Sequence, residues 1–328
     1  MKKMIDDYRL MIKACDLYYN QNKTQQQIAK LLNVSSPTVS RLLAGAVQKE
    51  IVRIDIQNIQ MVKFWELEQK LKRICGLQDV IIVDSSENPE DMKKRLGAMA
   101  SQYLESIVSP GDKVGISMGS TLYHMAYNPA GKSIENVTFV PLLGGMGRLR
   151  TELHANHLAE TMAKKYNGTY LPLYAPARVS NRILRKELKN EPNVSEVLAL
   201  QKELSIAVIG IGYPNENSAI KATGYYKDKE IQSLQDRNVA GDICMQFFDM
   251  DGNTALYKHD NHVIGIGLNM LKNIPYSIAV GGGIEKLTAI IGAIRGKYIN
   301  VLITDFACAE DLLEAYEKMS GNDAEISK

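Results

Sequence analysis

From about residue 61 onward, short apolar runs alternate with stretches of helical periodicity, and this alternation limits the fold more than any other feature. The runs fall at 79–84, 113–117, 137–143, 169–173, 205–211, 263–267, 277–280 and 299–304. Helical patterns at 90–108, 152–166, 180–200 and 284–296 lie between them, and an amphipathic helix from Val62 to Cys75 leads in. Strands that are apolar throughout, rather than at alternate positions, are buried on both faces. The expected body is a mainly parallel sheet covered by helices, an α/β fold. Asp251-Gly252 reads as a hairpin turn. The segment Asp249–Asn253 lacks the ligand spacing and closing Glu of a calcium loop.

The first sixty residues follow a different pattern. Residues 5–20 have the spacing of one helix. Thr24-Gln25-Gln26-Gln27 fits a capping box that opens a second, with Ile28, Leu31 and Leu32 as its apolar stripe. Asn33 suits a left-handed helix end. Ser36 as N-cap and Pro37 at the first position open a third helix, whose inner face is Val39, Leu42, Leu43, Ala46 and Val47. Residues 51–56 read as a short strand. Small Ala29 permits close helix crossing, Asn33 takes the turn, and Val39 plugs the junction. This Ala29–Asn33–Val39 spacing is similar to the helix-turn-helix signature, with Asn33 where Gly is commoner. The outward face of the third helix carries Ser36, Thr38, Ser40 and Arg41, groups able to read a major groove. Gln25 and Gln26 lie where the start of the second helix can hold a backbone phosphate. A plain helical bundle with a polar surface is the competing account.

Charge separates the same two parts. Residues 1–60 hold 9 Lys/Arg and 5 Asp/Glu, and the remainder hold 30 and 32, so a net of +4 sits ahead of a net of −2. A basic DNA-reading head on a slightly acidic body would show this, as would scatter. The four cysteines lie far apart without zinc spacing, consistent with a reduced, cytoplasmic chain. The start mixes acids and bases without an apolar h-region, and no apolar run reaches a membrane-spanning length. Neither a signal peptide nor a membrane partner is expected. The expected division is 1–57 and 58–328.

In the body, Gly-rich segments follow four of the strand-like runs. Ser117-Met118-Gly119-Ser120-Thr121 leads from a strand to a helix and offers amides and hydroxyls to an anion. It has neither the P-loop nor the dinucleotide spacing, so no nucleotide cofactor is expected. Gly144-Gly145, Gly210-Ile211-Gly212 and Gly281-Gly282-Gly283 complete a rim of the kind that binds ligands in open α/β sheets. Lys286 can meet an anionic group and Asp242 can accept hydrogen bonds from sugar hydroxyls. A surface lysine and a simple cap are the bland alternatives.

Taken together, TQQQIAKLLNVSSPTVSRLL, VGISMGSTL, VPLLGG, VIGIG, AGDICMQFFDMDG and AVGGGIEKLTAIIGAIRGKYINVLITD resemble the SorC family of bacterial sugar-responsive transcription regulators. The resemblance covers nearly the whole chain. It implies a helix-turn-helix domain followed by a larger, Rossmann-like effector domain similar in fold to sugar-phosphate isomerases and deaminases. It also implies operator DNA and a phosphorylated sugar as partners, and assembly as a dimer or tetramer. Residue by residue, it implies phosphate contacts from Gly119, Ser120 and Thr121, effector contacts from Gly144, Gly145, Gly283 and Lys286, and hydroxyl contacts from Asp242. Leu143 carries no amine, so a Schiff base to an open-chain sugar is not supported there. The chain also departs from the family near Met118, where a bulkier residue is frequent, and near Ser205, where an Asp is frequent. Both departures bear on ligand identity more than on fold.

An enzyme on the related fold, a sugar-phosphate isomerase or deaminase, is the alternative. Asp242 and Glu285 are present, but no full isomerase motif is, and fold does not confer chemistry. A regulator, not an enzyme, is expected. A third class, a head that binds protein rather than DNA, would lack salt-dependent polyanion binding. His154/His157 and His259/His262 have metal-compatible spacing. Neither pair has a completing ligand in sequence, so no metal is expected.

Overall fold

A first helix, α1 (Lys2–Cys15), runs into a single π-helical turn, Asp16–Asn20. The second, α2 (Gln25–Leu32), begins on the expected box. The Thr24 hydroxyl accepts the Gln27 amide at 3.3 Å, and the Gln27 side chain accepts the Thr24 amide at 3.0 Å. It ends at Asn33, φ 54°, and the Val34 amide returns to the Ala29 carbonyl at 2.9 Å. The third, α3 (Ser36–Gln48), is capped by Ser35, whose hydroxyl accepts the Thr38 amide at 3.3 Å. The cap is therefore one residue earlier than expected: Ser36 is the first helical residue and Pro37 the second. Both serines have capping chemistry, and proline is tolerated at either position because neither amide has a helical acceptor. Ala14, Ile28, Val39 and Ala46 are fully buried where these helices meet. Residues 51–53 are not strand, and 54–56 of the expected strand lie outside the described residues.

This computed structural model describes residues 2–53, 63–129, 131, 133–148, 150–216 and 218–326. The chain divides into two compact units, Met1–Lys63 and Phe64–Lys328. The expected boundary at 57/58 lies outside the described residues.

The second unit begins with α4 (Trp65–Cys75), β1 (Asp79–Val83), α5 (Pro89–Ile107), β2 (Lys113–Ile116), α6 (Ser120–Ala126) and β3 (Thr138–Pro141). There follow α7 (Ala155–Tyr166), β4 (Thr169–Tyr170), α8 (Arg182–Asn190), α9 (Pro192–Leu200), β5 (Ile206–Gly210), α10 (Ala219–Ala222) and α11 (Asp228–Asp236). It closes with β6 (Gly241–Ile243), β7 (Gln246–Phe248), α12 (Leu268–Leu271), β8 (Tyr276–Val280), α13 (Leu287–Arg295), β9 (Val301–Asp305) and α14 (Phe306–Ile326). Seven strands form one sheet in the order β1-β9-β8-β5-β2-β3-β4, and every neighbouring pair is parallel. Successive residues of β5 enter different cores: Ala207 and Ile209 join one, Ile206 and Val208 the other. Double-sided burial is why these strands read as continuous apolar runs.

Three expectations are corrected. The pattern at 180–200 is two helices, because Glu191 before Pro192 is extended (ψ 133°) and the chain restarts on the proline. The run 263–267 makes only isolated bridges, Leu143 to Gly265 and Arg178 to Val263. The hairpin lies between β6 and β7, turning on Cys244 (φ 50°) and Met245 (φ 60°). Asp251-Gly252 is a turn leading to a 3-10 helix at Ala255–Tyr257 rather than to a strand. Two consecutive positive φ values define a primed hairpin turn, normally the place of Asn-Gly, so its Cys-Met sequence gave no local sign of it.

From β2 the chain proceeds to β3 on one side, while β5 pairs with β2 on the other. The carboxyl ends of β2 and β5 thus flank a topological switch point, where open α/β sheets bind ligands. No helix among the described residues is long and apolar enough to cross a membrane.

Candidate functional site

The loops after β2, β5 and β8 converge with the β6-β7 hairpin. Asp242 and Gly212 exchange backbone hydrogen bonds at 2.8 and 3.0 Å, fastening the hairpin to the loop after β5. The Ser117 hydroxyl lies 3.3 Å from the Cys244 sulfur, fastening it to the loop after β2. A Cβ at Gly212 would fall 2.2 Å from the Asp242 carboxylate, so this glycine makes room for the acid. From the sequence alone Gly212 is simply part of the rim.

Asp242 is the most unusual group here. It is 4% exposed, and one carboxylate oxygen accepts only the Met245 amide, at 3.3 Å. Its other oxygen, Oδ1, is buried with no hydrogen-bond partner. Burial pushes its pKa up to about 6, with the Lys286 charge and the Met245 amide opposing. An ionised carboxylate with a free buried oxygen is costly alone. Two vicinal hydroxyl donors would satisfy it. Lys286 is half-buried at the end of a 3-10 turn, Ile284–Lys286, that precedes α13. Its charge reaches Asp242 across the rim.

The amides of the rim glycines have acceptors within the protein. The amide of Gly119 donates to the Leu153 carbonyl, Gly144 to Ile264, and Gly145 to Ala175. That of Gly283 donates to the Asp305 carboxylate at 2.7 Å. All four donors are therefore engaged within the protein. Gly144 is required for close approach, since a Cβ there would lie 2.3 Å from the Ala175 carbonyl oxygen. Gly119 (φ 118°) turns the chain so that Ser120 and Thr121, both half-buried, open α6. Their hydroxyls and first-turn amides are the donors available to an anion.

Two residues that sequence reading missed complete the rim. Asp305, at the end of β9 and 1% exposed, accepts from Gly283 and, at 2.6 Å, from the Ser85 hydroxyl. Ser85 is 220 positions away in sequence, and no local pattern announces the pair.

In the first unit, Ser40 and Arg41 are exposed on α3 and Gln26 is exposed at the start of α2, while Gln25, Ser36 and Thr38 are half-buried. The Thr38 hydroxyl lies 2.8 Å from that of Ser35, so it serves the cap. Arg41 has no ion-pair partner among the described residues.

Of the expected histidine pairs, His157 shares a hydrogen bond with the Tyr127 hydroxyl at 2.8 Å. Burial and the charges of Arg178 and Arg185 push the His262 pKa down. No cluster of three or more His, Cys, Asp or Glu able to hold a metal occurs among the described residues. A hollow of about 230 Å³ beside α11, lined by Lys221, Asp228 and Gln235 among others, shares no residue with the rim. Its Lys221 and Asp228 already form an ion pair.

The Sugar-bind family model, "Putative sugar-binding domain", matches residues 60–314. The sorbitol operon regulator of Klebsiella pneumoniae is 31% identical over 312 residues, 94% of this chain and 99% of that protein. The chain belongs to the SorC family of sugar-binding transcriptional regulators. The deoxyribonucleoside regulator of Bacillus subtilis is 32% identical over 93% of this chain and 97% of its own length. The crystal structure of full-length SorC from Klebsiella pneumoniae superposes with a TM-score of 0.70 at 32% identity, covering 94% of this chain and 99% of that one. A probable sor operon regulator from Shigella flexneri gives 0.70 at 35% identity, covering 76% and 99%.

Proposed function

We propose that this SorC-family regulator reads an operator of a sugar-utilisation operon through α2 and α3, and that a phosphorylated sugar bound at the rim controls its DNA affinity or assembly. The observation that carries the effector reading is Asp242, a buried carboxylate with an unpaired oxygen, which feels the charge of Lys286 beside the sheet's switch point. The carboxylate suits sugar hydroxyls. The lysine and the start of α6, through Ser120 and Thr121, suit a phosphate. Gly119, Gly144, Gly145 and Gly283 shape the loops. In the head, Arg41 and Ser40 would meet base edges, with Gln25, Gln26, Ser36 and Thr38 supporting the fit to the backbone.

Control works by linkage: the sugar shifts operator affinity only through unequal affinity for DNA-competent and incompetent states. A two-fold oligomer, dimer or tetramer, would set half-site spacing. The chain acts in the cytoplasm, without cofactor, and does not turn its effector over. The test is thermal unfolding with paired sugars and sugar phosphates. A true effector at about 100 times its Kd adds about 2.7 kcal/mol to native stability. One phosphorylated sugar should raise the midpoint while its dephosphorylated form does not. Equal shifts from both would remove the phosphate from the reading, and chemical conversion of the bound sugar would restore the enzyme reading.

A further inference from the structure

We infer that Asp305, held by Ser85, is the positioning residue of the effector site and ties its Lys286 loop to α14. The inference rests on the effector reading of the rim. One Asp305 oxygen accepts the Gly283 amide at 2.7 Å; the other accepts the Ser85 hydroxyl at 2.6 Å and faces the Cys308 amide at 3.5 Å. The Ser85 oxygen in turn accepts the Ala307 amide at 2.8 Å. One carboxylate and one hydroxyl thus cap the first turn of α14 and clamp the loop that carries Lys286.

Two of the three consecutive glycines follow from this clamp. A Cβ on Gly282 would lie 2.4 Å from the Asp305 oxygen, so only glycine lets the acid approach. Gly283 sits at φ 90°, a conformation that aims its amide at the acid and that side chains disfavour. Three residues later comes Lys286, whose 3-10 turn is closed by its own amide to the Gly283 carbonyl at 3.0 Å. Fixing Gly283 therefore fixes the base of the turn that presents the lysine. The clamp also leads outward. The residue after Asp305 is Phe306, whose ring stacks on Phe64 at 5.0 Å. Phe64 is the first residue of the second unit in chain order. A ligand that shifts the Lys286 loop acts on the start of α14 through one carboxylate, and so on the point where the chain arrives from the head.

The test is hydrogen exchange on the full chain, with inorganic phosphate as the probe. Asp305→Asn, Ser85→Ala and Ser85→Thr are compared with the unsubstituted protein. Loss of a charge-assisted hydrogen bond should speed exchange of the 281–287 peptide about tenfold or more in Asp305→Asn. Ser85→Ala should speed it less, and Ser85→Thr should restore it, because the hydroxyl is what the clamp uses. Phosphate affinity should fall about tenfold in Asp305→Asn and recover in Ser85→Thr relative to Ser85→Ala. Unchanged exchange at 281–287 in Asp305→Asn would overturn the clamp. Faster exchange with unaltered phosphate affinity would overturn the positioning role. Failure of the unsubstituted chain to bind phosphate would overturn the effector reading and the role built on it, while the exchange data would still decide the clamp.

Discussion

Among the described residues of the first unit the core is eight buried apolar side chains, and the groups that would meet DNA lie on or near the surface around helix caps. In the second unit two carboxylates, Asp242 and Asp305, are buried beside the rim, each in space that a glycine leaves open. The contrast fits what each unit is proposed to recognise. A DNA backbone and groove come to an exposed helix, so a small core that holds two helices at a fixed crossing suffices. A sugar effector, as proposed for the rim, would be surrounded, and the donors and acceptors that surround it would be desolvated beforehand. The large doubly covered sheet can support that cost.

The comparison breaks most visibly if the two cores are truncated alike. Ile28→Ala and Ile303→Ala each remove a fully buried side chain and should each cost about 2–5 kcal/mol. The head should show the larger fall in its own unfolding midpoint, because its unfolding entropy is smaller. Scanning calorimetry of the full chain checks this; equal shifts would mean that the units unfold as one.

Asp242→Asn sharpens the cost of the buried acid. Its pKa stands at about 6 in the folded protein against 3.8 when unperturbed, so the folded state binds the proton more tightly than the unfolded one. Stability from this group therefore falls as pH rises from about 4 to about 6. At about 1.4 kcal/mol per pKa unit the difference reaches about 3 kcal/mol. Asp242→Asn should be more stable than the unsubstituted protein above pH 6, with the gap closing below pH 4, and should lose effector binding. Denaturant midpoints across that range test it; a pH-independent gap would contradict the buried charge.

Arg41→Ala should weaken specific operator binding by about 1–3 kcal/mol if its guanidinium reads a base. A loss that is equal on all sequences would move Arg41 to the backbone. Thr24→Ala, which breaks the capping box of α2, should cost about 1 kcal/mol of head stability. Asn33→Gly should gain at most about 1 kcal/mol by relieving the left-handed turn. Both are read from the head's unfolding midpoint.

What the sequence disclosed depended on range. The capping box at Thr24, the turn at Asn33 and the Val39 plug are local, and each stands where periodicity and cap chemistry put it. The parallel sheet was legible because strands buried on both faces cannot hide their composition. Ser35 displaced Ser36 as cap because adjacent serines are chemically equal and only the turn geometry separates them. The hairpin at Cys244-Met245 was invisible, because burial of the turn replaced the usual Asn-Gly chemistry. The Asp305–Ser85 pair was beyond reach: its partners are brought together by β1 lying beside β9. The rim glycines were legible, but the acceptors of their amides, three carbonyls and Asp305, were not, because those partners lie far off in sequence.

The most direct test of the whole account joins the two units. A duplex selected by the chain from a random pool is titrated with and without the sugar phosphate that stabilises it, for the unsubstituted protein and for Lys286→Ala. The sugar phosphate should change the DNA affinity of the unsubstituted protein, while Lys286→Ala should bind the same duplex equally well and no longer respond. An unchanged response in Lys286→Ala would take the lysine out of the site. DNA affinity indifferent to the bound sugar phosphate in the unsubstituted protein would contradict the coupling itself.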